Sequence, residues 1–204
     1  GIDTKQVLTY DGFTVVIQHR ITEYIDGNTK DVTKRNDNNQ LIRLLVQNKE
    51  DTVTISDLLN AKFDSKEVRT LKDGPNGEKR RREEIEKIQK LPDCLIIELN
   101  RDLIGAKSAR GNKGECIVEP RITIKKQWCA NKSQLKQVPE YEYALKHIIC
   151  FIDSHYYAVT TRGGGNFESR WWKTNDHIID ELCEESFLTG PHCNRAQILF
   201  YEKV

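Results

Sequence analysis

Two residues of this chain have the types and the spacing needed for acid–base chemistry on a thiol. His155 is flanked by Ser154 and Tyr156, and Asn175 follows about twenty residues later. A neutral imidazole can serve as a general base, while an amide carbonyl can accept its second N–H and orient the ring. A histidine beside tyrosines is also common in a packed core, where its hydrogen bonds are satisfied. The pair alone therefore leaves a catalytic and a structural interpretation open.

The segments around these two residues are predicted to be strands. The apolar run from Ile148 to Ile152 and the alternation of Tyr157 with Val159 indicate one strand before the histidine and one that contains it. A glycine triplet and a tryptophan pair then lead to the asparagine: Gly163, Gly164, Gly165, Trp171 and Trp172. The glycines mark a turn between strands and do not open a helix, so a phosphate-binding loop is not favoured.

The amino-terminal part has signals for a hairpin, a strand and a helix. Asp26-Gly27-Asn28 supplies a hairpin turn that accepts positive φ. The Asn-rich segment from Lys34 to Gln40 is predicted to be a loop, and Leu41 to Val46 a buried strand. Thr54 and Asp57 have the three-residue spacing of a helix cap, so a short helix is expected there.

Two further segments have apolar residues at helical spacing. Ile85 and Ile88 are spaced for one helical edge of the charged segment from Glu78 to Lys90. A short helical piece is also predicted within residues 176–193, around Ile178, Ile179 and Leu182. The remaining apolar segments have the pattern of strands: Cys94 to Leu99, Cys116 to Ile124, Tyr141 to Ala158 and Gln197 to Glu202. The predicted fold class is therefore α+β, mostly antiparallel sheet with few helices.

The basic run Lys79-Arg80-Arg81-Arg82 has two interpretations. It could be a localisation signal or a patch for an acidic partner. More often such a run is a solvated face, and the neighbouring Glu83, Glu84 and Glu86 can offset it locally. The solvated face is the favoured interpretation.

Composition limits the classes of partner. The chain has 204 residues, 37% of them hydrophobic and 31% charged, with a net charge of +1. A near-neutral balance gives no field that favours nucleic acid or an anionic membrane. No apolar run reaches the ~20 residues that span a bilayer, and the first residues lack the features of a signal peptide. An intracellular protein, cytoplasmic or nuclear, without nucleic-acid or membrane partners is therefore expected.

The cysteines are scattered along the chain: Cys94, Cys116, Cys129, Cys150, Cys183 and Cys193. No C-x-x-C pair occurs, which argues against a structural zinc site, and an intracellular setting argues against disulfides. Reduced, buried thiols are expected. His192-Cys193 is a conceivable metal half-site without a visible partner, so neither a metal nor another cofactor is predicted.

A series of motifs, taken in chain order, resembles the catalytic domain of the ubiquitin-specific proteases. SHYYAV at 154–159, WWKTND at 171–176 and AQILFYEKV at 196–204 are similar to the family's histidine box, its aromatic strand ending in a polar pair, and its terminal strand. The upstream segments similar to the family are LIRLLVQ at 41–47, the strand and helix at 52–68, LPDCLIIELNRD at 91–102 and Val118-Glu119-Pro120. The resemblance covers roughly residues 40–204.

This resemblance implies the palm and fingers of a papain-like cysteine protease fold. It suggests a single domain over residues 1–204, with a fingers-like region at about 7–90 and a palm-like sheet at about 91–204. The helical thumb of the family has no counterpart in the chain.

The resemblance also implies site residues. His155 takes the position of the general base, Asn175 that of the orienting residue and Asp176 that of a second acidic residue. The flexible loop over the ubiquitin tail corresponds to Gly163, Gly164 and Gly165. The aromatic side chains expected to contact ubiquitin's tail or another partner are Tyr156, Tyr157, Trp171 and Trp172.

The family's nucleophile has no match. It lies in a Gly-Asn-Thr-Cys-Tyr box at the start of the thumb, whereas Gly27-Asn28-Thr29 here is followed by Lys30, and no cysteine precedes Cys94. Two functions follow. The chain could be a catalytically incompetent pseudo-protease that binds ubiquitin or another protein as a scaffold. Alternatively, it could be the His/Asn half of an active deubiquitinase whose cysteine-bearing thumb lies in missing sequence or in a complementing chain.

Overall fold

Two sheets contain most of the strands in the computed structural model, which describes residues 11–46, 52–101, 116–130, 140–152, 155–162, 170–182 and 191–204. The smaller sheet has four antiparallel strands in the order β2-β1-β6-β5. These strands are β1 (Val15–Ile25), β2 (Asn28–Asn39), β5 (Glu67–Thr70) and β6 (Arg80–Lys90).

The larger sheet carries the two residues singled out for chemistry. Its order is β13-β12-β11-β10-β14-β7-β3, and β9 pairs with the first half of β10. The strands are β3 (Ile42–Val46), β7 (Cys94–Arg101), β9 (Arg121–Lys125), β10 (Glu140–Ile152), β11 (His155–Arg162), β12 (Arg170–Asn175), β13 (Ile178–Leu182) and β14 (Ala196–Lys203). All its pairings are antiparallel except that of β3 with β7.

The remaining elements are short. Two short strands, β4 (Val53–Thr54) and β8 (Cys116–Ile117), pair in parallel. The helices of the described ranges are α1 (Ile55–Asp64) and α2 (Pro191–Arg195), with 3₁₀ turns at Asp11–Phe13 and Lys126–Trp128. None of these helices is long and apolar enough to cross a membrane. The predicted α+β class, mostly antiparallel with few helices, is confirmed.

The core lies between one face of the larger sheet and α1 with its neighbouring segments. Tyr143, Tyr201 and Trp128 are its largest buried side chains. Their polar atoms are satisfied: the Tyr143 hydroxyl donates to the Pro92 carbonyl, and the Trp128 indole donates to Asp64. Burial of this apolar face stabilises the sheet by roughly 25 cal/mol for each Å² removed from water.

The helix α1 starts where the sequence places its cap. The Asp57 amide donates to Thr54 Oγ1 and the Thr54 amide to Asp57 Oδ2, each at 3.0 Å, which forms a reciprocal capping box. The bond from the Thr54 amide, and after it the bond that the Thr54 hydroxyl donates to Asp57 Oδ2 at 2.8 Å, hold the pKa of Asp57 below its usual value. Glu119 adds a contact from a distant segment, because its carboxylate accepts the Ser56 amide at 2.7 Å.

Three local predictions are wrong, and sheet pairing explains each one. The segment predicted as a helical edge is the strand β6, and its Ile85 and Ile88 lie on opposite faces because they are an odd number of residues apart. Most of the predicted Asn-rich loop belongs to β2, which pairs with β1 along its length as an exposed edge strand. The predicted helical piece at Ile178 is the strand β13, paired with β12.

The basic run at 79–82 leads into β6 of the smaller sheet. Acidic residues that pair with its side chains support the solvated-face interpretation. Arg81 and Arg82 contact Glu83 and Glu84 at 3.1 and 3.2 Å. Lys79 pairs with Asp73 at 2.8 Å, an exposed pair. The predicted boundary near residue 90 stays a prediction, although β3 from the first part of the chain pairs within the larger sheet.

Candidate active site

The sheet brings His155 and Asn175 together at one edge of two neighbouring strands. His155 is the first residue of β11, and Asn175 is the last residue of β12. The two strands run antiparallel, with Ala158 opposite Thr174, so the start of β11 lies beside the end of β12. The distance between His155 Nε2 and Asn175 Oδ1 is 2.5 Å. The pairing of the two side chains follows directly from the register.

The hydrogen bond fixes which imidazole nitrogen carries the proton. An amide oxygen only accepts, so Nε2–H of His155 donates to Asn175 Oδ1. In the neutral ring Nδ1 then keeps its lone pair and can accept a proton. The His155 side chain is 44% exposed, which leaves this nitrogen open to a reacting group. This geometry is the one that a general base and its orienting residue require.

Asp176 places a negative charge next to this pair. Its Oδ2 lies 3.9 Å from His155 Nε2, which is too long for a hydrogen bond but close enough for attraction. The residue occupies the turn between β12 and β13 with φ of +52°, a conformation that aspartate adopts more readily than most residues. Because its side chain is 73% exposed, solvent screens the interaction, and Asp176 is a weaker partner than Asn175.

Tyr157 connects the strand of the histidine to α2. Its hydroxyl is hydrogen-bonded to Nδ1 of His192 at 2.9 Å, with the two rings edge to face at 5.6 Å. Burial raises the pKa of Tyr157 to about 12, and burial together with the charges of Lys173 and Arg195 lowers the pKa of His192. Both groups are therefore neutral near pH 7, which suits a phenol that donates and an imidazole that accepts.

The aromatic residues predicted to contact a partner differ in exposure. Tyr157 is 5% exposed and Trp171 is 3% exposed, so their side chains pack in the core and offer no contact surface. This burial corrects the interpretation of both as partner-binding residues. Tyr156 is 57% exposed and its ring lies 4.6 Å from that of Phe151, while Trp172 is half-buried. The loop of Gly163, Gly164 and Gly165 lies outside the described residues.

The cysteines of the described ranges do not supply a nucleophile to this site. None of these five forms a disulfide; Cys94 is half-buried and the other four are buried. Burial, reinforced by Glu202, raises the pKa of Cys94, which disfavours a thiolate. Gly27-Asn28-Thr29 begins at a hairpin turn with positive φ at Asp26 and Gly27, so it does not start a helix.

The same ranges contain no cluster of three or more side chains that could hold a metal ion. His192, considered above as a metal half-site with Cys193, instead accepts the hydrogen bond from Tyr157. The hydrogen bond between Tyr157 and His192 was missed from the sequence. The alternation of side chains along a strand gave a sign of the burial of Tyr157, because it places Tyr157 on the same face of β11 as His155 and the buried Val159.

Comparisons with known proteins identify the family and the fold. The family model described as ubiquitin carboxyl-terminal hydrolase matches residues 11–201. No curated protein matches the chain. Similar solved structures include the yeast SAGA DUB module with an Sgf73 mutant, at TM-score 0.70 and 21% identity over 95% of this chain. The SAGA Ubp8/Sgf11/Sus1/Sgf73 DUB module bound to ubiquitin aldehyde matches at TM-score 0.67 and 21% identity over 98% of this chain.

These structural matches cover 41% and 44% of the matched chains, respectively. This chain therefore spans less than half the length of the structures that it resembles. At this level of identity the likeness concerns the fold.

Proposed function

This chain belongs to the ubiquitin carboxyl-terminal hydrolase family, and we propose that it supplies the general-base half of a thiol-dependent ubiquitin hydrolase site. The observation that carries the proposal is the hydrogen bond from His155 Nε2–H to Asn175 Oδ1. It fixes the one tautomer in which Nδ1 can take the proton of a thiol. A histidine kept only for packing has no need of an orienting partner at an exposed strand end.

In this mechanism Nδ1 of His155 removes the proton from a cysteine thiol, and the thiolate adds to the carbonyl at the end of ubiquitin's tail to give a tetrahedral oxyanion. The bond from this carbon to the leaving amine then breaks, the amine takes the proton from Nδ1, and water hydrolyses the remaining thioester. Asn175 holds the ring while it becomes an imidazolium, and Asp176 adds a partly screened negative charge 3.9 Å from Nε2. The cysteine is supplied from outside residues 1–204 or by a complementing chain. No residue of the described ranges is assigned to the oxyanion.

The substrate proposed for this site is the C-terminal tail of ubiquitin. Support comes from the family and from similar structures described as bound to ubiquitin aldehyde and to monoubiquitin. On this chain the exposed Tyr156 adjoins His155, and the half-buried Trp172 lies on the strand that ends at Asn175. These two side chains, with the Gly163–Gly165 loop, are the proposed tail contacts.

A titration of isotope-labelled ubiquitin with this chain tests tail binding. Shifts that cluster on the tail and on the hydrophobic patch of ubiquitin are expected. Tyr156→Ala should weaken the affinity by about 1 to 2 kcal/mol, the usual effect of losing an exposed aromatic contact. Ile179→Ala is the matched control, because Ile179 is equally exposed but lies on the edge strand β13. An absence of shifts at high micromolar protein would exclude tail binding.

A second function, a pseudo-protease that binds ubiquitin or another protein as a scaffold, is supported by a different observation. The chain has no cysteine before Cys94, and the described thiols are buried or half-buried. Either function is compatible with ubiquitin binding, but only the first predicts capture by a ubiquitin probe that reacts with a catalytic cysteine. That probe therefore discriminates between them.

A further inference from the structure

The end of β11 that carries His155 has few means of holding its position. His155 is the first residue of the strand, opposite Ile152, and strand ends fray more readily than strand centres. Tyr156, the next residue, points to solvent. The first buried side chain after His155 in β11 is Tyr157. Whatever fixes Tyr157 therefore also limits the movement of His155.

The side chain of Tyr157 is fixed from two directions. Its hydroxyl donates to Nδ1 of His192 in α2 at 2.9 Å. Its ring lies under the ammonium group of Lys173 in β12, at 5.6 Å from Nζ to the ring centroid. Lys173 is two residues before Asn175 on the same strand. Tyr157 thus links β11, the strand that it shares with His155, to β12, the strand of Asn175.

The helix that receives the hydroxyl is itself anchored to the sheet. The Cys150 thiol, on the strand next to β11, lies 3.6 Å from the carbonyl oxygen of His192, and Tyr157 is the register partner of Cys150. Cys193 is buried, and Ala196 directly after the helix is fully buried. Since α2 continues straight into the central strand β14, His192 is a stationary acceptor for the Tyr157 hydroxyl.

We propose that Tyr157 is a positioning residue of the hydrolase site: its hydrogen bond to His192 holds β11 against β12 so that His155 keeps its Nε2–H on Asn175. This role rests on the proposed function for its meaning in catalysis. Tyr157 does not touch the reacting atoms; it acts through the position of His155. Tyr157, which was predicted to bind a partner, is thereby assigned the role of supporting His155.

The test measures the two tautomers of His155 in the ¹⁵N-histidine-labelled chain without ubiquitin. In the wild type the Nε2–H tautomer should dominate. Tyr157→Phe removes only the hydroxyl, and we expect the ratio of the Nε2–H to the Nδ1–H tautomer to fall roughly fivefold, the factor that corresponds to one lost hydrogen bond. His192→Phe removes the acceptor and should produce the same change, and the double variant should produce no more.

Tyr143→Phe is the matched control. Tyr143 is also a buried tyrosine whose hydroxyl donates a hydrogen bond, to the Pro92 carbonyl, but it lies in the first half of β10. Its loss should lower the free energy of unfolding and leave the His155 tautomers unchanged. An unchanged ratio in folded Tyr157→Phe or His192→Phe would overturn the positioning role, as would an equal change in the control.

The same spectra separate this inference from the proposed function. If His155 of the wild type shows no preferred tautomer, the observation behind the proposed function fails. If the Nε2–H tautomer dominates and persists in the Tyr157 and His192 variants, only the positioning role fails.

Discussion

At the scale of the residue, the proposed chemistry depends on which nitrogen of His155 carries its proton. The Asn175 carbonyl selects Nε2–H, so Nδ1 is the basic nitrogen. An amide achieves this selection without a charge, whereas the charge of Asp176 is farther away and largely exposed. In the proposed mechanism the orienting role is therefore assigned to Asn175, with Asp176 as electrostatic support.

Substitution of Asn175 should have effects that depend on the acceptor. Asn175→Asp keeps an oxygen acceptor and should retain the Nε2–H tautomer of His155. Asn175→Ala removes the acceptor, so the two tautomers should become comparable, and reaction of a cysteine-complemented site should slow by at least about tenfold. ¹⁵N spectra of His155 in the two variants check the first effect. Equal spectra in Asn175→Ala and the wild type would contradict it.

At the scale of the element, strands with an apolar core face were predictable and charged strands were not. The apolar run at 148–152 predicts β10, because a strand buried in the core requires a continuous apolar segment. In β6 the same rule fails, because most of its apolar character is replaced by Arg–Glu pairs, with Arg81–Glu83 on one face and Arg82–Glu84 on the other. Such a strand is specified by its partners β1 and β5, which a local pattern does not contain.

The residues of the site also divide into those that the sequence predicts and those that it does not. The spacing of His155 and Asn175 and the family motifs identified the two residues, since they lie in segments of clear strand pattern. Tyr157 and Trp171 were predicted to contact a partner, because an aromatic residue near a histidine gives no local sign of its burial. The link from Tyr157 to His192 joins residues 35 positions apart, and only the packing of α2 on the sheet reveals it.

The cap of α1 yields a prediction at this scale. Glu119 accepts bonds from the Ser56 amide and hydroxyl at 2.7 and 3.0 Å, so it places a negative charge at the first turn of α1. Glu119→Ala should lower the free energy of unfolding by about 1 to 2 kcal/mol in urea titrations. Glu140→Ala removes an exposed carboxylate elsewhere and should change it by less than about 0.5 kcal/mol. Equal changes in the free energy of unfolding in the two variants would show that Glu119 does not stabilise the helix terminus.

At the scale of the whole molecule, buried tyrosines should make the fold sensitive to alkaline conditions. Burial raises the pKa of Tyr157 from 10.0 to about 12, and burial also raises the pKa of Tyr143 and Tyr201. Above pH 10 the unfolded chain loses these protons while the folded chain retains them, so the unfolded state binds fewer protons. The free energy of unfolding must then decrease as pH rises.

The expected slope is about 1.4 kcal/mol per pH unit for each such tyrosine, between pH 10 and about pH 12. Urea unfolding at a series of pH values measures it. Tyr143→Phe should make the slope shallower by about the contribution of one tyrosine. A free energy of unfolding that stays constant above pH 10 would show that these hydroxyls ionise freely in the folded protein.

Covalent capture by ubiquitin that carries a C-terminal propargylamide, which reacts with a catalytic cysteine, tests whether His155 serves as the base of a hydrolase site. The endogenous polypeptide that contains this sequence, recovered with an antibody against the chain, should form an adduct through a cysteine outside residues 1–204 or on a bound chain. His155→Ala should slow capture by about 100-fold, because the thiol then lacks its base. Capture that is unaffected by His155→Ala, or ubiquitin binding without any adduct, would contradict the claim and favour the scaffold.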